Sequence, residues 1–343
     1  MKHVNIPIFI PHLGCPNQCV FCNQRSISGV AEFDINSVSS IIDSALATIP
    51  QDYEIEIAFF GGSFTGIDRS LMLRLLDVAY SYVKDGRVSH IRCSTRPDYI
   101  DDEILDILQS YGVKVIEIGL QSSSDKVLCA TKRGHSATDE VNACKKIVDR
   151  GFQLIGQMMI GLPNSTLEDE INTAKFIIDS GAIGARIYPT IVFRDTELCS
   201  LMLNGDYAPL ELEEAICRSA KILKLFLASN VEVIRIGLCS SENLISSDTY
   251  VAGPNHVAIG ELVENKIYYD LIKEKIGAIS FDKEDALKIN VARGCLSKAI
   301  GHKKKNKFLL AKTYMIENIV FEESNDLDEY MVSIVVERKR KCT

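Results

Sequence analysis

Short β-branched apolar runs alternate along the chain with longer segments in which apolar residues recur at helical spacing. The runs predict strands over Asn5–Ile10, Glu54–Phe60, Ser89–Ser94, Val113–Leu120, Gln153–Ile160, Gly184–Pro189 and Val231–Leu238. The longer segments predict helices over Val38–Ala47, Ser70–Val83, Asp101–Tyr111, Thr138–Arg150, Thr166–Ser180 and Leu210–Ala228. Asp101 stands before Asp102-Glu103 and Ser165/Thr166 before Glu168, as capping residues do at helix starts. Strand–helix alternation repeated about six times implies parallel strands, in a doubly wound sheet or a barrel. Polar and Gly/Pro-rich residues gather just after the strands, at His12–Gly14, Gly61–Gly66, Thr95–Asp98, Gln121–Ser124 and Gly161–Ser165. In α/β barrels these strand-end loops hold the chemistry.

A shift in composition near residues 277–285 is the one plausible boundary, dividing a barrel domain over 1–275 from a small basic α/β module over 280–343. Within the module Leu287–Val291, Ile316–Phe321 and Tyr330–Val336 read as strands and Leu296–Tyr314 as a helical segment. Between Ala286 and Ile316 there are eight Lys/Arg and no Asp/Glu, so a net charge of −8 hides about −16 on the rest of the chain. With 343 residues, 46 % apolar and 24 % charged, the chain has the profile of a globular protein with a large core. No apolar stretch approaches the roughly 20 residues of a membrane helix, and the opening MKHVNIPIFIPHLGC lacks a small-residue cleavage site. A cytoplasmic location without membrane association is the resulting expectation.

Eleven cysteines, an odd number without regular pairing, argue against a disulfide framework. Eight are scattered singly and read as small buried hydrophobes. The other three form Cys15-x3-Cys19-x2-Cys22, just after the first strand. Three soft thiolates on one loop suit an iron–sulfur cluster and would leave one iron open to a small molecule. A zinc site completed by His12 and a loop without metal are the other readings of the spacing.

The three cysteines, with the aromatic Phe21 before the last, resemble the signature loop of the radical S-adenosylmethionine (SAM) superfamily. The resemblance implies a partial (β/α)6 TIM-like barrel and a 4Fe–4S cluster whose open iron binds SAM. A one-electron donor such as flavodoxin or ferredoxin would then drive cleavage of SAM to a 5′-deoxyadenosyl radical. Gly61-Gly62-Ser63 resembles the superfamily's GGE motif, whose backbone holds the SAM amino group, with Ser63 in place of the Glu. By the same resemblance Gln121 ends the strand of ribose contacts and Gln157 lies on the strand along the adenine. Arg186, a charge inside an apolar strand, needs a partner: a carboxylate of the chain or that of SAM.

A narrower set of segments is similar to the radical SAM domain of the Elongator catalytic subunit family. These are Phe60–Thr65 (FGGSFT), Ser94–Asp98 (STRPD), Ile116–Ser122 (IEIGLQS), Lys132–His135 (KRGH), Ile160–Pro163 (IGLP) and Arg186–Thr190 (RIYPT). This resemblance implies tRNA, modified at its wobble uridine, as the substrate class. The family spaces its first two cluster cysteines more widely, and its acetyltransferase domain has no counterpart Gly-rich loop after Thr196. A protein or small-metabolite substrate, and a zinc-containing RNA-binding protein without catalysis, are the competing readings. Arg96, Lys132, Arg133 and His135 fall on the expected active-face loops, as contacts to a phosphate-rich substrate or as structural ion pairs with Asp98 and its neighbours. In the C-terminal module, Leu296–Leu310 resembles the helix–GxxG–helix of KH domains, with Lys304 where the second glycine would stand. Lys303, Lys304 and Lys305 would there contact an RNA backbone, or form an ordinary solvated face.

Overall fold

Parallel strands form buried apolar runs because crossovers cover the sheet. In the computed structural model, which describes residues 2–10, 15, 19–23, 33–50, 52–238 and 249–338, the apolar runs become β1 (Lys2–Phe9), β2 (Tyr53–Phe60), β3 (His90–Thr95), β4 (Val113–Gln121), β5 (Gln153–Ile160), β6 (Gly184–Pro189) and β8 (Glu232–Ile236), while two short strands, β7 (Val192–Phe193) and β9 (Tyr250–Ala252), pair with each other. Between them lie α1 (Val38–Leu46), α2 (Arg69–Lys84), α3 (Asp102–Ser110), α4 (Asp125–Ala130), α5 (Ala137–Asp149), α6 (Leu167–Asp179), α7 (Glu197–Leu203) and α8 (Leu212–Ala228). Local chemistry sets the starts. Asp101 accepts the Ile104 amide, and Ser136 with Asp139, and Thr166 with Asp169, close capping boxes.

Seven strands form one parallel sheet in the order β1-β2-β3-β4-β5-β6-β8. An order that never reverses decides between the two sheet types, since a doubly wound sheet turns back at a switch point. The fold is a partial TIM-like barrel of seven strands, one for each predicted run and one more than the (β/α)6 barrel that the resemblance implies. The additional strand is β8, which follows helix α8 and pairs with β6 from Gly184↔Glu232 onward. The two faces of the sheet differ. Gly156 of β5 lies against α6, where a Cβ would meet Ile177 at 2.7 Å. The next residue, Gln157, therefore points to the opposite face. Among the described residues no helix is long and apolar enough to cross a membrane.

By internal contacts the chain divides into a first unit, through Ala215 and Leu225–Asn255, and a second, Ile216–Lys224 with the residues from His256 onward. The division falls ahead of helix α9 (Ile259–Gly277), not near residues 277–285. The reason is packing: α9 gives Tyr268, Ile272 and Ile276 to a core shared with Leu287, Ile289, Leu310 and Ile319. In this second unit β10 (Ala286–Ala292) lies between β11 (Asn318–Ser324), parallel to it, and β12 (Val332–Glu337), antiparallel. The basic helical segment is broken at Gly301 into α10 (Leu296–Ile300) and α11 (Lys305–Tyr314).

Gly301 takes φ +82°, and a Cβ there would lie 2.8–3.0 Å from the side chain and amide of Asn306. Asn306 cannot yield freely, because its Nδ2 donates to the carbonyls of Asn265 (2.7 Å) and Ala299 (3.1 Å). Gly301→Ala is therefore expected to destabilise the second unit by about 1–3 kcal/mol. Urea unfolding of the full chain, followed by far-UV circular dichroism, reads this as a lowered midpoint. An unchanged midpoint would contradict the argument.

Candidate functional site

A buried charge in a strand needs a partner on the same face, and strands in parallel register can bring such residues together. Here they form a chain of contacts from β1 to β6. His3 lies 3.0 Å from Glu56 of β2, and Glu56 also pairs with His90 (2.8 Å) and Arg92 (2.7 Å) of β3. Arg92 reaches on to Glu117 of β4 at 2.8 Å. Glu117 is fully buried, and Arg186 of β6 grips it with both Nε (2.8 Å) and Nη2 (3.0 Å). Gln157 of β5 donates to the same carboxylate (2.8 Å) and to Ser94 (3.2 Å). Burial pushes the Glu117 carboxyl up, but Arg186 and Arg92 outweigh it and hold the group below the ordinary carboxylate range. Glu56 is likewise held low, burial being outweighed by His90, Arg92 and His3. Arg186 thus finds its partner within the chain.

The loop after β1 brings in the thiols. Cys19 is buried, while Cys15 and Cys22 are partly exposed. The Cys22 amide donates to the Cys19 carbonyl (3.0 Å), and Val20 is tied to Thr131 (3.2 Å) and Leu198 (2.8 Å) through backbone bonds. Phe21 packs against the apolar cluster of Val20, Val192 and Leu198. His12 lies outside the described residues. Among those residues no three Cys, His, Asp or Glu side chains converge as a ready-made metal site.

Two guanidiniums face Cys19. Arg133 Nη1 is 3.3 Å and Arg96 Nη1 3.9 Å from its Sγ. Both arginines are more than nine-tenths buried. Arg96 is fixed by a two-pronged bond to Asp98 (2.8 and 2.9 Å) and by the Arg133 carbonyl, and Arg133 by the Gly119 carbonyl. Burial pushes the Cys15 thiol up, with Arg96 and Arg133 pulling against it. His135 is enclosed, its Nε2 3.0 Å from Glu140. Burial, with Arg133 and Arg96 nearby, pushes it down to about 4, and burial pushes Glu140 well above the usual carboxylate value. His135 is therefore uncharged at pH 7. Lys132 is exposed but bound to Glu197 (2.6 Å). Of the two sequence readings for these four residues, internal pairing is what the structure displays.

At the end of β2, Gly61 adopts φ +101°, and a Cβ there would sit 3.0–3.2 Å from the Ile10 backbone. Only glycine lets the loop after β1 pass so close. Ser63 is buried and shares hydrogen bonds with Thr95 (2.8 Å) and the Arg96 amide (3.3 Å). Gln121 ends β4 in a left-handed turn (φ 73°), and its Oε1 is buried with no hydrogen-bond partner among the described residues. Lys303, Lys304 and Lys305 belong to the second unit, exposed at the break between α10 and α11. Glu56, Arg92 and Glu117 were not among the candidates read from the sequence. The signal was present: each is a charge inside an apolar strand, the feature that singled out Arg186.

Glu117→Gln would leave Arg92 and Arg186 buried without their shared countercharge. A loss of about 3–5 kcal/mol is expected, read as a lowered urea midpoint; a change below about 1 kcal/mol would contradict it. Both carboxyls are depressed in the folded chain, so their stabilisation is complete above about pH 4.3, the ordinary glutamate value. It is lost as pH falls through the depressed folded values. Stability of Glu117→Gln should accordingly fall less steeply with acid than that of the parent.

Known proteins are similar to this chain in sequence and fold. The profile of the radical SAM superfamily matches residues 9–177, and that of the radical SAM C-terminal domain residues 183–269. Human Elongator complex protein 3 is 31 % identical over 188 residues, 48 % of this chain and 34 % of that protein. The tRNA uridine(34) acetyltransferase of Methanocaldococcus infernus is 33 % identical over 125 residues, 36 % of this chain and 23 % of that one. The chain thus spans about a third or less of these two curated relatives. The solved structure of Elp3 from Methanocaldococcus infernus superposes with a TM-score of 0.62 at 22 % identity, covering 80 % of this chain and 63 % of the other, and so shares the fold. With the cysteine loop and glycine turn at the ends of consecutive strands of a partial barrel, and both profiles matched in order, the chain belongs to the radical SAM superfamily of enzymes.

Proposed function

We propose that Cys15, Cys19 and Cys22 hold a 4Fe–4S cluster and that the chain cleaves SAM reductively to modify an RNA, with tRNA as the substrate class. The observation that supports this most is the pair of buried guanidiniums at Cys19. Positive charge and N–H donors beside a cysteine sulfur form an outer shell that would support an anionic cluster ligated through it. They also favour the more negative, reduced state of a cluster bound there. When bound, such a cluster supplies the electron that converts SAM to methionine and a 5′-deoxyadenosyl radical, a flavodoxin- or ferredoxin-type donor restoring it.

The chain's own residues have separable tasks in this reading. Gly61-Gly62-Ser63 offers backbone groups beside the thiol loop, and the unpartnered Oε1 of Gln121 offers an acceptor to a ribose hydroxyl. Gln157 and Arg186 act through Glu117, holding the strand ends in register. Phe21 anchors the thiol loop to its apolar seat. His135, neutral against Glu140, positions the turn that carries Arg133 without adding charge. The assignment of tRNA draws on the similarity to the tRNA uridine(34) acetyltransferase.

Anaerobically reconstituted protein is expected to be brown, to hold about four irons and four sulfides, and to release 5′-deoxyadenosine from SAM on reduction. Cys→Ala at any one of the three positions should abolish that release. A colourless chain holding one zinc would overturn the proposal. Nucleoside mass spectrometry of tRNA from cells with and without the gene tests the substrate, and identical profiles would remove tRNA. Arg133→Met, which deletes the charge near Cys19, should shift the cluster's midpoint potential negative, by about 59 mV for each tenfold loss in the reduction equilibrium. Arg133→Lys should restore part of it. An unchanged potential in the Met variant would contradict the role given to Arg133.

A further inference from the structure

The lysines of the second unit divide into two groups. Lys288 is bound to Glu322 (2.6 Å), and Lys298 to Glu264 (2.9 Å) and Glu329 (2.8 Å). Lys303, Lys304, Lys307 and Lys312 are exposed and form no ion pair with the described residues. They flank in sequence Phe308, which is 74 % exposed at the middle of α11. At about 100° per residue, Lys307, Phe308 and Lys312 fall on one side of the helix. Asn306 and Leu310 fall on the other and are buried. Lys303 and Lys304 are held beside this face in consecutive left-handed conformations (φ 51° and 63°). Folding alone gives no reason to flank a bare aromatic ring in sequence with four unpaired cations in a chain of net charge −8.

We infer that this face binds a strand of unpaired RNA, one base stacking on Phe308 while neighbouring phosphates meet the lysines. The chemistry is that of single-strand recognition, in which aromatic faces take bases and cations track the backbone. From Lys304 to Lys312 the helix rises about 12 Å, the length of roughly three stacked nucleotides. A membrane surface fits less well, because it needs a continuous apolar face. The exposed apolar groups here are Phe308, Leu309 at its flank and Met315 at the helix end. The inference rests on RNA as the substrate class but not on the cluster chemistry, and it places a grip on the substrate outside the barrel.

The test uses the full chain and a fluorescently labelled twelve-nucleotide RNA without secondary structure, followed by anisotropy. About three phosphate contacts on a single strand predict roughly 20-fold weaker binding from 50 to 200 mM salt. Replacing Lys303, Lys304 and Lys307 together by Gln should weaken binding at 50 mM salt and reduce the log–log salt slope by about 2. Phe308→Ala should weaken binding about five- to hundredfold with the slope kept. Both variants lie on an exposed face and should keep the parent's circular dichroism and its RNA-independent release of 5′-deoxyadenosine. Parental RNA affinity in both variants would overturn the inference. So would lysine-dependent binding to phosphatidylserine vesicles without binding to the RNA. If SAM cleavage fails while lysine- and Phe308-dependent RNA binding stands, the cluster assignment falls and this inference remains.

Discussion

Glu117 is the constraint on which the barrel site depends. A carboxylate on the middle strand of a buried sheet is tolerated only if cations and donors converge on it. Arg92 comes from one side, and Gln157 and Arg186 from the other, so one group ties four consecutive strands together. Glu56 extends the tie to β2 and to His3 of β1. Apolar side chains would fill the same volume without specifying register. A slip by one residue in any strand would turn its charge toward the helix-covered face, at a large desolvation penalty. The polar chain therefore selects one alignment of the strand ends, and the functional loops emerge from those ends.

The thiol loop depends on that alignment at two points. Arg96 follows β3 directly, and Arg133 is held by the carbonyl of Gly119 in β4. Both guanidiniums are thereby aimed at Cys19 by strands whose register Glu117 sets. Gly61 adds a steric condition: at φ +101° and about 3 Å from the Ile10 backbone, it lets the chain leaving β1 lie close to the turn after β2. The uncharged His135 packs against Glu140 behind this arrangement, and among the described residues the cations that reach Cys19 are the two arginines.

In the second unit electrostatics is distributed by the opposite rule. Lysines on β10 and α10 are neutralised by nearby carboxylates, whereas Lys303, Lys304, Lys307 and Lys312 are exposed. Gly301 produces the division. By breaking a basic segment that would otherwise continue as one helix, it lets α10 pack inward and turns the lysine-rich start of α11 outward.

The periodic alternation of apolar runs and helical segments was enough to find every strand of the barrel sheet, because burial on both faces leaves a local imprint. The spacing of Cys15, Cys19 and Cys22 pointed to soft-metal chemistry for a similar reason, since ligands on one loop are close in sequence. What the sequence could not decide was long-range pairing. Arg186 read as a charge in need of a partner, and only the fold identified Glu117, 69 residues away. For Arg96, Arg133 and His135 the sequence left a substrate phosphate and internal ion pairs both open; the fold turns them inward, onto a thiol, two carboxylates and backbone carbonyls. The unit boundary moved ahead of α9 because amphipathic spacing shows that a helix is buried but not against which sheet. Local periodicity determined the elements; register and packing, which join residues far apart in the chain, decided which of their charges meet.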